Sequence, residues 1–138
     1  VTIEFSMKRR VSFAETDLAG VMHFSNFYRW MEEVEHAFWR SAGTSVVFRD
    51  GDSEISWPRV ATSCEFFAPA RFEDELEVTL KVENVGERST KYEIEFRRDG
   101  QRIATGHATA VCCRTAPGSF TPISIPAKLR DILKGRKE

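Results

Sequence analysis

Asp17, Gly20, His23 and Phe24 lie close together in the run ETDLAGVMHFSNFYRW, Glu15 to Trp30. A carboxylate, a turn glycine and an imidazole stand directly ahead of an aromatic-rich segment with helical spacing. A helix start carries unpaired amides and a partial positive charge. Directed at a carbonyl oxygen, it stabilises the negative charge that grows there on attack. A carboxylate beside it can take a proton from water or attack the carbonyl itself. The plainer reading of Asp17 is a side chain that forms a turn or caps a helix.

Other chemistries have less support. The three cysteines, Cys64, Cys112 and Cys113, are odd in number and lack CxxC spacing, so neither a disulfide framework nor a zinc site is indicated. They read as small packing residues in a reducing cytoplasm. There is no G-x-S-x-G elbow and no paired triad for a serine or cysteine nucleophile. His107 alternates with a core strand and reads as structural. Glu33 falls on the polar side of the helical pattern, whereas Glu35 fits neither side cleanly.

Positioning these residues takes a folded domain, and 138 residues suffice for one, with a real core. Hydrophobic residues make up 41% and charged residues 30%, ordinary for a globular protein. The net charge of -1 offers no basic field for nucleic acid. No apolar run reaches the length of a membrane span. The opening VTIEFSMKRR alternates like a strand and lacks the apolar region of a signal peptide. Most of the eleven Phe residues are expected in the core.

Val1, Ile3, Phe5, Met7, Val11 and Phe13 share one parity, broken by Arg9, and predict a strand with one buried face. From Phe27 the period changes: Phe27, Trp30, Met31, Val34, Phe38 and Ala42 recur at three- and four-residue steps. Gly43 offers the left-handed position that ends a helix. Residues 44–53 read as a loop. A strand is expected from Glu54 to Phe67, interrupted by Pro58, which implies an edge or a bulge. Leu76 to Val82 and Tyr92 to Phe96 alternate as two more strands, and Asp99-Gly100 marks a hairpin. The last long strand is expected from Gln101 to Arg114. Its face of Ala104, Gly106, Ala108 and Ala110 would let the bulky helix approach closely. Residues 116–138 are expected as a C-terminal appendage to the single domain, with Pro126 in the first turn of a short helix.

Strand, turn, long helix and four further strands resemble the hotdog fold, an α+β class in which a long antiparallel sheet wraps one central helix. Three motifs resemble the 4-hydroxybenzoyl-CoA thioesterase family and its acyl-CoA thioesterase branch. The first is Asp17, Ala19-Gly20, His23-Phe24, Asn26, Tyr28 and the helix to Gly43. The second is EFFAPARFEDELEVTLKVENVG, and the third is RRDGQRIATGHATAVCC. Together they span Lys8 to Thr115, in the family's order.

The resemblance implies an acyl-CoA thioesterase that needs no metal or redox cofactor, coenzyme A being part of the substrate. Asp17 would be the catalytic carboxylate, as base or nucleophile. The backbone amide near Phe24 would polarise the thioester, and Gly20 would permit a tight turn and close substrate approach. His23 departs from the branch pattern, which often has an aromatic there and a His or Tyr where Phe24 stands. It would polarise the site or simply pack at the helix start. Asn26 stands in the substrate-binding motif, although a structural cap is its plainer role. Phe27, Trp30, Trp57 and Phe67 would line an acyl or aryl pocket or fill the core. Arg59, Arg88 and Lys91 would meet the coenzyme A phosphates. Related hotdog proteins join sheets edge to edge, so a homodimer or homotetramer is expected, with Asp17 facing residues 60–63 of a second copy. The alternatives are a non-catalytic protein binding acyl-CoA or acyl-carrier protein, and an enoyl-CoA hydratase.

Overall fold

Residues 3–136 are described by a computed structural model. Strand β1 (Glu4–Arg10) alternates exposed and half-buried positions as its sequence predicts, Val1 lying outside the described residues. The alternation does not continue to Phe13. The chain leaves the sheet after Arg10, and Phe13–Glu15 form one 3-10 turn with Phe13 75% exposed. Ser12 and Glu15 close a reciprocal capping box at that turn.

Helix α1 (Phe24–Ser41) starts three residues before its apolar period does. Its first turn serves the cap rather than the core, so it leaves no trace in the hydrophobic spacing. Phe27, Trp30, Met31, Val34, Phe38 and Trp39 are buried along it. Gly43 has φ +84°, the left-handed value expected beyond a helix end.

Strands β2 (Phe48–Asp50) and β3 (Ser53–Ser56) follow, then β4 (Arg59–Phe66), β5 (Glu75–Val85), β6 (Ser89–Arg98) and β7 (Gln101–Val111). The main sheet is antiparallel with order β1-β5-β6-β7-β4. Asp99 and Gly100 both take positive φ and close a two-residue hairpin between Arg98 and Gln101. Helix α1 lies across one face of this sheet. Phe38 meets Phe5 of β1 at 6.4 Å, and Phe27 meets Phe96 of β6 at 5.1 Å between ring centroids. Met31 sits on Gly106 of β7: a Cβ there would come within 2.6 Å of the Met31 sulfur. The small-residue face therefore does what its spacing implied. This is the α+β hotdog architecture.

Two expected strands are each divided. The run from Glu54 to Phe67 breaks at Trp57-Pro58 into β3 and β4, and the run from Gln101 to Arg114 breaks at Cys112 into β7 and β8 (Cys113–Ala116). The breaks face each other, with the Val111 amide donating to the Pro58 carbonyl at 2.9 Å. Beyond them the chain enters a second sheet, β2-β3-β8-β9, where β9 is Ser119–Pro122. Pro58 has no amide to continue a ladder, and β4 is an edge strand with a register shift between Arg59 and Ala61. The C-terminal residues 116–136 also pack on the core. Helix α2 (Ala127–Lys134), preceded by Pro126, buries Leu129 and Leu133 in the same core as α1. Among the described residues no helix is long and apolar enough to cross a membrane.

Candidate active site

Asp17 sits in the turn between the 3-10 segment and α1. Its amide donates to the Val21 carbonyl at 2.9 Å, and its own carbonyl accepts from the Gly20 amide at 2.9 Å. Its Oδ1 accepts from the Ala19 amide at 2.9 Å and lies 3.5 Å from the Val21 amide. The turn-forming reading of this side chain is therefore correct for one oxygen. Oδ2 has no hydrogen-bond partner among the described residues. The turn thus fixes the carboxylate and leaves one oxygen available. Gly20 has φ +79°, and a Cβ there would meet nothing within 4 Å. The turn selects glycine for its backbone angle, not for space inside this chain.

His23 caps α1. Its backbone is extended, and its Nδ1 accepts from the Ser25 amide at 3.3 Å and lies 2.8 Å from the Ser25 hydroxyl. The His23 carbonyl takes the Asn26 amide at 3.0 Å. The Phe24 amide, in the same turn, has no acceptor among the described residues. It is the first-turn donor left to face a ligand. Asn26 turns inward, its side-chain NH₂ donating to the Glu15 carbonyl at 2.9 Å. It thereby ties the turn to the helix.

Glu15, which the sequence reading did not single out, supports this end of the fold. Its carboxylate accepts from the Ser12 amide at 2.9 Å, the Ser12 hydroxyl at 3.0 Å and the Trp30 indole at 2.7 Å, and it pairs with Arg9 at 3.2 Å. Burial alone would raise its pKa, but the bonds from Ser12 and Trp30 and the charge of Arg9 together lower it. A capping-box spacing, Ser12 with Glu15 three residues on, was its only trace in the sequence.

Asp17 and Phe24 open on one cleft of about 350 Å³, lined also by Val21, Met22, Phe27 and Phe66, with Ala68 to Ala70 as its far wall. Phe27 and Phe66 meet edge to face at 5.1 Å. The far wall is the Pro-Ala turn of the second sequence motif, held by the Met22 amide donating to the Ala70 carbonyl at 2.7 Å. Its contribution was missed, because the pairing of residue 22 with residue 70 is a long-range event without a local signal.

The other candidates lie elsewhere. Trp30 is fully buried beneath Arg9, and Trp57 stacks on Trp39 in the core at 5.4 Å. Phe67 is half-exposed under Arg102. Arg59 pairs with Glu32 and Glu35; Lys91 pairs with Glu83 at 3.7 Å on the sheet's outer face; Arg88 is exposed in the β5–β6 turn. None of the three cations lines the Asp17 cleft. Glu33 is half-exposed and bonded to Arg9, whereas Glu35 is buried. Cys112 is buried and Cys64 half-buried, and burial pushes both thiols up to about 11, away from nucleophilic thiolate character.

A sequence profile described as the thioesterase-like superfamily matches residues 11–133. The 1,4-dihydroxy-2-naphthoyl-CoA hydrolase of Prochlorococcus marinus (strain NATL2A) is 28% identical over 106 residues, covering 72% of this chain and 68% of that protein. The crystal structure of a 1,4-dihydroxy-2-naphthoyl-CoA thioesterase from Synechocystis superposes with a TM-score of 0.81 at 26% identity, covering 95% of this chain and 96% of the other. A gentisyl-coenzyme A thioesterase structure gives 0.78 at 29% identity, covering 91% and 99%. The chain belongs to the thioesterase-like superfamily; these relatives are named for 1,4-dihydroxy-2-naphthoyl-CoA and gentisyl-CoA, not for 4-hydroxybenzoyl-CoA.

Proposed function

The chain is a thioester hydrolase of the thioesterase-like superfamily, and on that premise we propose that it cleaves an acyl- or aryl-CoA with Asp17 as its catalytic carboxylate. The observation that carries this reading is the cleft itself. Asp17, with one oxygen free of hydrogen bonds, and Phe24, whose first-turn amide is uncommitted among the described residues, line the same largely apolar cleft. With Asp17 as base, it takes a proton from water, whose oxygen attacks the thioester carbon. Negative charge collects on the carbonyl oxygen, where the Phe24 amide and the helix start stabilise it. The C–S bond then breaks, and the coenzyme A thiolate takes up a proton. With Asp17 as nucleophile, its oxygen forms a mixed anhydride, coenzyme A leaves, and water releases the acid. Both routes give one acid and one coenzyme A per water consumed.

Phe24, Phe27 and Phe66 line the cleft and favour a flat aromatic acyl group, since aromatic rings pack well against another ring. The relatives named for naphthoyl and gentisyl thioesters support the same direction. Arg88, exposed in the β5–β6 turn, is the cation we assign to the coenzyme A phosphates; Lys91 is already paired with Glu83, and Arg59 with two carboxylates. The free edge of β4 also supports a shared site. Val60 is 63% exposed on that strand, and Phe66 of the same strand lines the Asp17 cleft. A second copy pairing along this edge would bring its residues 60–63 towards Asp17, giving a dimer or a tetramer of dimers.

The test is thiol release from a panel of aryl- and alkyl-CoAs, with Asp17→Asn as the control. Turnover of aryl substrates that disappears in the variant supports the reading, and equal turnover in both ends it. Light scattering at micromolar concentration tests the shared site, which a fully active monomer would refute.

A further inference from the structure

Outside the active-site cleft, the least expected group in the molecule is Glu35. It lies in the second half of α1 and is 2% exposed, among buried Trp39, Trp57 and Tyr92. One oxygen, Oε1, accepts from Arg59 Nη2, while Oε2 has no hydrogen-bond partner. The Tyr92 hydroxyl and the Trp39 and Trp57 indole nitrogens are likewise buried without partners. The Tyr92 hydroxyl faces Glu35 and Trp39. Arg59 is the first residue of β4, directly after the Pro58 break and at the register shift, and its other nitrogen reaches Glu32 at 3.4 Å. The pair therefore joins the core helix to the start of the open edge strand.

We propose that the Glu35–Arg59 pair is a proton-sensitive fastener, in which ionised Glu35 holds Arg59 and fixes the start of β4 against α1, and protonation releases it. Glu35 faces Arg59 from β4, Glu32 from α1 and Tyr92 from β6, while His36, next along α1, meets Glu32 and Arg59. The β7 positions packed on this side of the sheet, Ala108 and Ala110, do not titrate. Burial pushes the Glu35 carboxyl up to about 7, against the opposing pull of Arg59; Glu32 adds to the rise. Burial lowers His36, which leaves it the weaker competitor for a proton near neutrality. Below that midpoint the carboxyl is neutral, and among the described residues exposed Glu32 is the ionised partner left to Arg59. Asp17 lies outside this cluster, so Glu35 acts as a positioning residue for the strand and not as a catalytic one. On the shared-site reading, β4 is also the strand that meets a second copy, so the fastener would set the order of that contact.

The experiment is NMR of the intact protein between pH 5.5 and 8.5. It follows the Glu35 side-chain carboxyl carbon, the Arg59 Nε–H resonance and amide exchange over residues 59–63, corrected for intrinsic rates. The expected result is a shared midpoint near neutrality, with exchange over residues 59–63 at least tenfold faster at pH 5.5 than at pH 8.5. Glu35→Gln should lock the fast, released state at every pH. Arg59→Lys, which keeps the charge but shortens the grip, should move the Glu35 midpoint upward. A Glu35 midpoint below 5, or a β4 exchange profile identical in wild type and Glu35→Gln, overturns the proposal. So does a midpoint unmoved by Arg59→Lys. The Glu35 carboxyl-carbon and Arg59 Nε–H readouts depend on neither turnover nor a second subunit, so failure there leaves the proposed function standing, and the reverse.

Discussion

Glu15 and Glu35 make an instructive pair. Both are acids with an arginine partner and a tryptophan neighbour, one at each end of α1, yet their pKa values move in opposite directions. Glu15 collects donors on both oxygens: an amide, a hydroxyl, an indole and a guanidinium. Glu35 has Arg59 on one oxygen and nothing on the other. An arginine alone does not offset burial; a complete set of donors does. The difference also marks where chemistry can occur. At the Glu15 end the structural load rests on Glu15, and the neighbouring Asp17 lines an open cleft with one oxygen free of hydrogen bonds among the described residues. At the Glu35 end the acid itself holds the strand, and Glu35 does not line the cleft of about 260 Å³ beside its partner Arg59.

The largest expected contrast is in turnover. Asp17→Asn keeps the side-chain volume and the Ala19 bond but removes the base or nucleophile, a loss of about 10²–10⁴-fold in kcat. Glu35→Gln should change kcat on the same substrate by less than tenfold. Steady-state rates of the two purified variants check this, and a deeper loss for Glu35→Gln would reverse the roles given to the two ends.

The second contrast is in stability against pH, where the two acids carry opposite signs. The Glu15 carboxyl is lowered on folding, so its contribution is present above its unfolded value of about 4.5 and is lost as pH falls through the lower folded value. Glu15→Gln should therefore destabilise at pH 7 by about 1–3 kcal/mol, the scale of unmet buried hydrogen bonds to a charged group, and by little at pH 3. Glu35 is raised from 4.5 to about 7, so between those values the folded protein holds a proton that the unfolded chain has released. Its contribution is fully present below 4.5, declines as pH rises, and is gone above 7. Glu35→Gln removes that titration and should flatten the decline. Denaturation curves at pH 3, 5, 7 and 8 separate the two, and parallel profiles for both variants would erase the distinction.

The two ends also differ in how far they could be read beforehand. Asp17, the turn glycine and the helix after them were legible, because a turn, a cap and a 3.6-residue period are local signals. So were the Asp99-Gly100 hairpin and the small-residue strand under Met31. Glu35 was only half legible. Its spacing from Met31 and Trp39 puts it on the buried stripe, but its burial depends on an arginine 24 residues away. The breaks at Pro58 and Cys112 were hidden for a related reason. Each run reads as a single strand, and only the meeting of Pro58 with Val111 sends both into a second sheet. Strands as short as β2 and β9 carry too few residues for alternation to register.

The smallest expected effect concerns Gly20, and it refines the Asp17 side of the comparison. The turn that presents the free oxygen depends on φ +79° at this residue, yet no atom lies within 4 Å of where a Cβ would stand. Gly20→Ala therefore meets only the intrinsic cost of a left-handed backbone, about 1–2 kcal/mol, without a clash inside the chain. If the turn merely joins two elements, Tm and kcat should fall together by that modest amount. If substrate passes over Gly20 on its way to Asp17, the added methyl should raise KM or cut kcat well beyond what the lost stability explains. Gly20→Val, branched at Cβ, should widen that gap. Measuring Tm, kcat and KM for both variants decides between a turn that only shapes the carboxylate and one that substrate also touches. Equal, mild effects throughout would confine the role of Gly20 to the backbone.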